Sequence, residues 1–339
     1  MNKTLNPLAD HALGPTITIG EILVEIMATT KGHGFLEAQP LTGPYPSGAP
    51  AIFIDQVGKL GQDAGIIAAV GNDDFGQLNI NRLRSDGVDV SAIKVLEDHP
   101  TGYAFVRYQE DGERDFVYSI ATSAAGQIQP NSTTDALIKR AGHLHIMGTA
   151  LTLPGVWPIV QQAVTAVKSR GGSISFDPNM RKELNQSTET AQRIAYLLEQ
   201  ADLFMPSGDE VSLVGDGEDK EQLLTDWLSG TTKEVVLKQG AKGAMCFQEG
   251  TTVERASIPA VEVDPTGAGD CFGATYVTCR RMGYSLEQAL DFANAAGHCA
   301  VSKQGPMEGN AGFAELQAVL DAQQQSFFYG YFGSGTINP

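Results

Sequence analysis

The chain has 339 residues, 42% of them hydrophobic, with 38 glycines and a formal net charge of −17. That length can bury a full-sized core as one large domain or two small ones. The acidic balance excludes nucleic acid or an anionic membrane as a bulk partner, because no broad basic surface is available, so an anionic ligand must be held by local groups.

Four cysteines, Cys246, Cys271, Cys279 and Cys299, show no C-x-x-C spacing and predict reduced, cytoplasmic thiols rather than disulfides or zinc. No apolar run reaches membrane-spanning length. Residues 1–15 lack the apolar stretch of a signal peptide and read as a disordered start. Residues 17–27 read as a buried strand running on into a second, with Gly20 at the bend. Residues 28–50 are rich in glycine and proline, with a short strand expected at 35–41. A helix from 51 to Gly61, a strand at 64–70, a helix at 75–85 and a further strand after Asp86-Gly87 follow. Such alternation predicts a parallel sheet flanked by helices.

The rhythm breaks at Thr101. Residues 103–108 and 114–120 alternate around the polar turn Glu110-Asp111-Gly112-Glu113, a hairpin that would project as a flap or small sheet. Strands are then expected at 143–147, 173–176, 203–205 and 234–237. Helices are expected near 156–170, 187–200, 219–229, 267–282, 286–303 and 312–325. His143 and His145 share one strand face and read as neutral core or cleft histidines, since no third ligand lies near in sequence. The aromatic tail, residues 326–339, is expected to dock on its own chain or on a partner.

The most informative stretch is Val263-Asp264-Pro265-Thr266-Gly267-Ala268-Gly269-Asp270-Cys271-Phe272-Gly273. Residues 260–263 alternate like the end of a strand, and Phe272, Tyr276 and Cys279 recur at helical spacing. The glycines permit positive φ and close approach of a ligand, and the first helical turn offers N–H groups and a favourable dipole to an anion. Three readings compete. Asp270 could simply complement the helix dipole. The glycines could form a dinucleotide fingerprint, but Gly273 is one place too late and Glu287 begins another helix. Or a carboxylate beside an anion hole could serve as base in phosphoryl transfer.

Asp264-Pro265-Thr266-Gly267-Ala268-Gly269-Asp270 resembles the D-T-x-G-A-G-D signature of the ribokinase-like (PfkB) sugar kinases, with the fructokinase and tagatose kinase-like branch nearest. The resemblance implies an α/β fold: a three-layer α/β/α sandwich over residues 16–325, with a small β-sheet lid from about 22–45 and 100–122. It implies that Asp270 is the base and that the amides of the Gly267, Ala268, Gly269 turn stabilise the transferring phosphoryl group.

Further segments resemble the family in order. Pro46-Ser47-Gly48-Ala49-Pro50-Ala51 resembles the sugar-receiving G-G-x-x-x-N, with Ser47 for the first glycine and Ile52 where Asn is usual. Gly20-Glu21-Ile22-Leu23-Val24-Glu25 resembles G-E-x-x-x-D, with Glu25 as the carboxylate for sugar hydroxyls. The segment from Thr101 to Arg107 resembles a lid strand, Arg107 being its cation. Phe176-Asp177-Pro178-Asn179-Met180-Arg181 resembles D-x-N-x-R, giving Asn179 to substrate and Arg181 to phosphate. Pro206-Ser207-Gly208-Asp209-Glu210 resembles N-x-x-E, with Glu210 holding Mg²⁺ through water.

On the nucleotide side the resemblance assigns Lys238, Gly240, Gly243 and Asn294. Backbone near Asp264, Thr266 and Gly305 would hold a monovalent cation, K⁺. Together these imply an ATP-dependent kinase acting on a primary hydroxyl of a ketohexose of tagatose or fructose type, cytoplasmic and homodimeric. The alternatives are a 2-keto-3-deoxygluconate kinase and a non-catalytic sugar sensor on the same fold.

Overall fold

The computed structural model describes residues 6–110, 114–179, 187–208, 210–211 and 220–332. In chain order the strands are β1 (Thr16–Ile19), β2 (Leu23–Ala28), β3 (Leu41–Ser47), β4 (Ala64–Gly71), β5 (Val88–Asp89), β6 (Ile93–Leu96), β7 (Gly102–Tyr108) and β8 (Arg114–Ser119). There follow β9 (His143–Met147), β10 (Ser173–Asp177), β11 (Leu203–Phe204), β12 (Glu234–Lys238), β13 (Ala244–Gln248) and β14 (Thr251–Arg255). Among the described residues the large sheet has the order β14-β13-β12-β11-β10-β9-β1-β4-β5, with β6 also on β4, and the small sheet the order β3-β2-β7-β8. From β12 to β5 the large sheet is parallel; β13 and β14 add an antiparallel hairpin at its edge.

The parallel strands are buried on both faces, which follows from helices covering each side. In β4, Ile66, Ala68 and Val70 face the layer that contains Phe53, Tyr276 and Leu290. Ile67 and Ala69 face the opposite layer with Leu137, Ile159 and Leu197. Helices Ala49–Lys59, Ala268–Arg281 and Leu286–Val301 supply the first layer; Ser132–Arg140, Val156–Ser169 and Thr188–Gln200 supply the second. Each fully buried large side chain, such as Phe53 or Phe176, contributes about 1.5–3 kcal/mol.

Several expectations change. Residues 6–15, expected to be disordered, strap onto the body: Leu8 is buried and Asn6 donates its amide to the Arg280 carbonyl at 2.6 Å. The Arg281 guanidinium, itself buried, donates to the carbonyls of Ala9, Asp10 and Gly14 and to the Thr16 hydroxyl. The strand expected at 35–41 is instead Leu41–Ser47, at the edge of the small sheet, where Pro44 and Pro46 cost least. Residues 260–263 form no strand; Val261 and Val263 are exposed and have no neighbouring strand to pair with. Helix Ser132–Arg140 and the β13–β14 hairpin were not anticipated. The last helix is Phe313–Phe332; where the aromatic side chains of the tail pack lies outside the described residues.

His143 and His145 are fully buried and held neutral, their pKa values driven well below normal by burial and then by Arg281 and Lys238 respectively. Serine hydroxyls of β10 bond both rings, so they are core polar groups.

Candidate active site

Two cavities lie at the carboxyl ends of the parallel strands, where open α/β sheets take their ligands. One lies under the small sheet and is lined by Glu21, Leu23, Glu25, Gly48, Ala49, Ala104, Phe116, Tyr118, Thr149 and Thr152, among others. The other is a cleft of about 1150 Å³ that includes Ser207, Glu210, Lys238, Gly240, Ala268, Gly269, Asn294 and His298. Its size suits a nucleotide rather than a simple sugar.

Between them sits the turn that opens helix Ala268–Arg281. Gly267 is its N-cap at φ 81°, and an added side chain there would collide with the Pro306 carbonyl. Only glycine fits this left-handed position without strain. Asp264 braces the turn: its Oδ1 accepts from the Thr266 amide at 3.0 Å and the Thr266 hydroxyl at 2.7 Å, and its Oδ2 accepts from the Gly305 amide at 3.0 Å. These three residues are therefore brought together as expected. The Asp264 carboxylate is engaged by the loop's own donors, which leaves backbone carbonyls as the groups that would face a cation.

Asp270 lies in the first helical turn, buried to 9% exposure. Asn179 donates from Nδ2 to its Oδ1 at 3.2 Å and to the Met147 sulfur at 3.5 Å. Asn179 has φ 37°, and its own amide bonds Asp177 Oδ1 at 3.1 Å, an Asx-type turn that turns the chain at the end of β10. Arg181, assigned to phosphate, lies outside the described residues.

Asp177 was not singled out from the sequence, yet its carboxylate is fully buried and paired with the Lys238 ammonium. Burial pushes the Asp177 pKa up to about 6 against the pull of Lys238, and nearby Glu210 pushes the same way. For Lys238 burial opposes the charge, but Asp177, Glu210 and Asp270 outweigh it and raise its pKa. At neutral pH the pair is ionised, with the ammonium close to Gly269. Glu210 is anchored by the Ser207 amide, which donates to Oε2 at 2.6 Å. Glu210 is an oxygen ligand of the kind Mg²⁺ prefers, lining a cleft wide enough for the ion to keep much of its hydration. No group of three or more His, Cys, Asp or Glu poised for a metal exists among the described residues.

Asn294 is in the cleft, but its amide ties the helix to the carbonyls of Ala256 at 3.1 Å and Arg255 at 3.5 Å. Gly240 lines the cleft, whereas Gly243, at φ 99°, closes the short helical turn Gly240–Lys242 and does not line it. His298, one helical turn after Asn294, also lines the cleft and was missed.

In the smaller cavity Glu25 is buried and accepts the Ser47 hydroxyl at 2.8 Å, so the residue that replaces a family glycine orients the sugar-side carboxylate. Gly48, at φ 109° and against the Glu21 carbonyl, opens helix Ala49–Lys59 beside it. Ile52 does not line this cavity, contrary to expectation. It points beneath the phosphoryl-transfer turn, its Cγ2 3.2 Å from where a Gly267 Cβ would stand. Thr149 was not foreseen; its hydroxyl is buried, has no partner among the described residues and belongs to a residue that lines the cavity, just past the end of β9.

The lid cation is also different. In β7 and β8 the register pairs Tyr108 with Arg114 and Arg107 with Asp115. Phe116, Tyr118 and Ala104 line the cavity, so alternation places Arg114 on their inner face and Arg107 on the outer one. Arg107 accordingly pairs with Asp115 at 2.9 Å, both well exposed. Arg114 instead reaches the Thr266 hydroxyl at 2.7 Å.

Comparison with known proteins agrees with this geometry. A model of the pfkB family carbohydrate kinase matches residues 17–311. Fructokinase-2 of Zea mays is 30% identical over 317 residues, covering 90% of this chain and 93% of its own. A 2-dehydro-3-deoxygluconokinase of Thermoproteus tenax is 29% identical over 317 residues, covering 92% and 96%. An E. coli protein with the provisional name Ribokinase II, solved with ATP and Mg²⁺, is 44% identical with a TM-score of 0.86, covering 91% and 99%.

Proposed function

The chain belongs to the pfkB family of carbohydrate kinases, and from that premise we propose that it phosphorylates a primary hydroxyl of a neutral ketohexose, of fructose or tagatose type, with ATP. It is a phosphotransferase acting on a sugar; the choice of substrate is what the site must supply. The observation that carries it is the charge of the smaller cavity. Two buried carboxyl groups, Glu21 and Glu25, line it, and no cation stands among the described residues of its lining. A sugar acid would bring a further carboxylate beside these two carboxyl groups, into a poorly solvated space where no described residue clamps it. A neutral sugar brings hydroxyl donors for the carboxylates and for Thr149.

In this reading Asp270 takes the proton of the primary hydroxyl, held in line by Asn179. The first helical turn and the Lys238 ammonium stabilise negative charge on the phosphoryl oxygens, with Asp177 keeping Lys238 in place. Glu210 would position Mg²⁺ through its water shell, and the ion would neutralise charge on the ATP phosphates. A monovalent cation such as K⁺, if it acts, would rest on the carbonyls of the 264–266 and 305 segments. Four free cysteines support a reducing, cytoplasmic setting. The exposed Val117 on the lid strand, with Leu41 on another, favours a homodimer formed through the outer face of that sheet.

Competition assays between D-fructose, D-tagatose and 2-keto-3-deoxygluconate with ATP test the reading. A larger kcat/KM for a neutral ketohexose is expected. A larger value for the keto-acid would overturn it, and with it the electrostatic argument.

A further inference from the structure

The lid does more than roof the sugar cavity. Arg114, on the inner face of β8, is separated from Thr266 by 152 residues, yet Nη1 donates to the Thr266 hydroxyl at 2.7 Å. That hydroxyl donates in turn to Asp264 Oδ1, and the other oxygen of Asp264 holds the Gly305 amide. Thr266 directly precedes Gly267, the left-handed cap of the phosphoryl-transfer helix. A relay of hydrogen bonds thus runs from the lid guanidinium through a hydroxyl and a carboxylate into the loop that shapes the anion hole.

A second lid strand converges on the same loop. Tyr45 of β3 packs against Gly305, where an added Cβ would lie 2.7 Å from its ring. Arg114 also lies 5.9 Å from the ring centre of Phe116, which lines the sugar cavity, so one lid face carries both the roof of the sugar site and the contact to the turn.

We propose that Arg114 is a positioning residue that couples closure of the lid over the sugar to the shape of the phosphoryl-transfer turn, acting through Thr266 and Asp264. With the lid down, the guanidinium fixes the Thr266 hydroxyl as donor to Asp264, and the Gly267–Asp270 amides are presented in one arrangement. With the lid raised, that hydroxyl loses its charged partner and the turn is held by Asp264 alone. Phosphoryl transfer is then favoured only when sugar is enclosed, which limits loss of ATP to water. The inference rests on the sugar kinase reading but not on which ketose is used.

The test is a double-mutant cycle of Arg114→Ala and Thr266→Val in the full chain, with whichever sugar the wild type turns over fastest. Each single variant should lower kcat by about 10- to 100-fold, the worth of a hydrogen bond to a charged group or somewhat more, while the Kd for ATP stays within about 3-fold. The double variant should be no slower than the worse single one, because both remove the same link. Hydrogen exchange gives the readout a purely structural role would not move. Sugar should slow exchange across residues 264–270 in the wild type but not in Arg114→Ala, with β9 and β10 equally protected in both. Guanidinium ion added to Arg114→Ala should restore part of kcat. Losses that multiply in the double variant, or sugar-induced protection of 264–270 that survives Arg114→Ala, would overturn the proposal. Failure of the wild type to phosphorylate any sugar would instead refute the underlying reading.

Discussion

Asn179 donates its side-chain amide to Asp270 across 3.2 Å, although 91 residues separate them in the chain. The bond joins the end of β10 to the first turn of helix Ala268–Arg281 and fixes the orientation of the carboxylate. Asn179 can do this because a left-handed backbone, at φ 37°, swings its side chain back over the strand end.

Asp270→Asn should keep ATP and sugar affinities within a few-fold and lower kcat by ~10²–10⁴, the usual worth of a general base. Asn179→Ala should cost about tenfold, as loss of one hydrogen bond to a charged group. Binding measured by calorimetry and turnover by a coupled assay separate the two effects. Wild-type turnover by Asp270→Asn would remove the base assignment.

Ser47→Ala removes the hydroxyl that donates to Glu25 at 2.8 Å. The carboxylate then loses its orienting donor inside the sugar cavity. The KM for sugar should rise by about tenfold, with the KM for ATP unchanged. An unaltered sugar KM would show that Glu25 needs no such support.

Arg107→Ala should do little. Its pair with Asp115 lies on the outer face of the lid and is screened by water, and such pairs contribute about 0–1 kcal/mol. Sugar and ATP KM values within about twofold of wild type are expected. A loss comparable to that of Arg114→Ala would contradict the facing of β7.

Asp55 makes stability depend on pH. It is fully buried beside Arg82 at 3.3 Å and Asn310 at 2.6 Å, with Asp86 and Glu308 also on Arg82. Burial is the main cause that pushes its pKa from 3.8 to about 7, against Arg82 and Asn310, with Asp86 adding to the rise. Between those values the folded chain keeps a proton that the unfolded chain has released. Stability from this group therefore falls as pH rises from about 4 to 7. Asp55→Asn should flatten that part of the slope by about 2–4 kcal/mol, leaving the smaller slope of Asp177. Urea melts from pH 4.5 to 8 check it; parallel curves for both proteins would exclude the effect.

Deleting residues 1–15 should cost about 3 kcal/mol or more, because the buried Arg281 guanidinium would lose the carbonyls of Ala9, Asp10 and Gly14. Burial already lowers the Arg281 pKa to about 10, opposed only by Asp10. Arg281→Met in the truncated chain should recover part of the loss. Equal melting of full-length and truncated protein would show that the strap is not needed.

The buried parallel strands were legible because unbroken apolar runs between turns admit few other readings, and β9 falls where its pattern placed it. The turn around Gly267 was legible because glycines and a carboxylate in a first helical turn are a costly combination without a use. Period-two alternation also held the answer for the lid. Ala104 and Tyr108 lie on one face of β7 and Arg107 on the other, so the inward cation had to come from β8 at an even position. Other features were not local. Ile52 sits beneath Gly267 because two helices cross there, and the pairing of Asp177 with Lys238 spans β10 to β12. Residues 260–263 alternate but have no partner strand, and alternation without a partner does not make a sheet.

The strap of residues 6–15 has a consequence for how the molecule is made. Its anchors, Arg280 and Arg281, lie 267 to 274 residues later in the sequence, so during synthesis the strap waits for helix Ala268–Arg281. Until that helix arrives, β1 lies beside an unfilled gap and the nascent chain exposes apolar surface. Residues 6–15 are thus fastened only after most of the sheet has been made, and the final turn of helix Ala268–Arg281 is what ties them to the body.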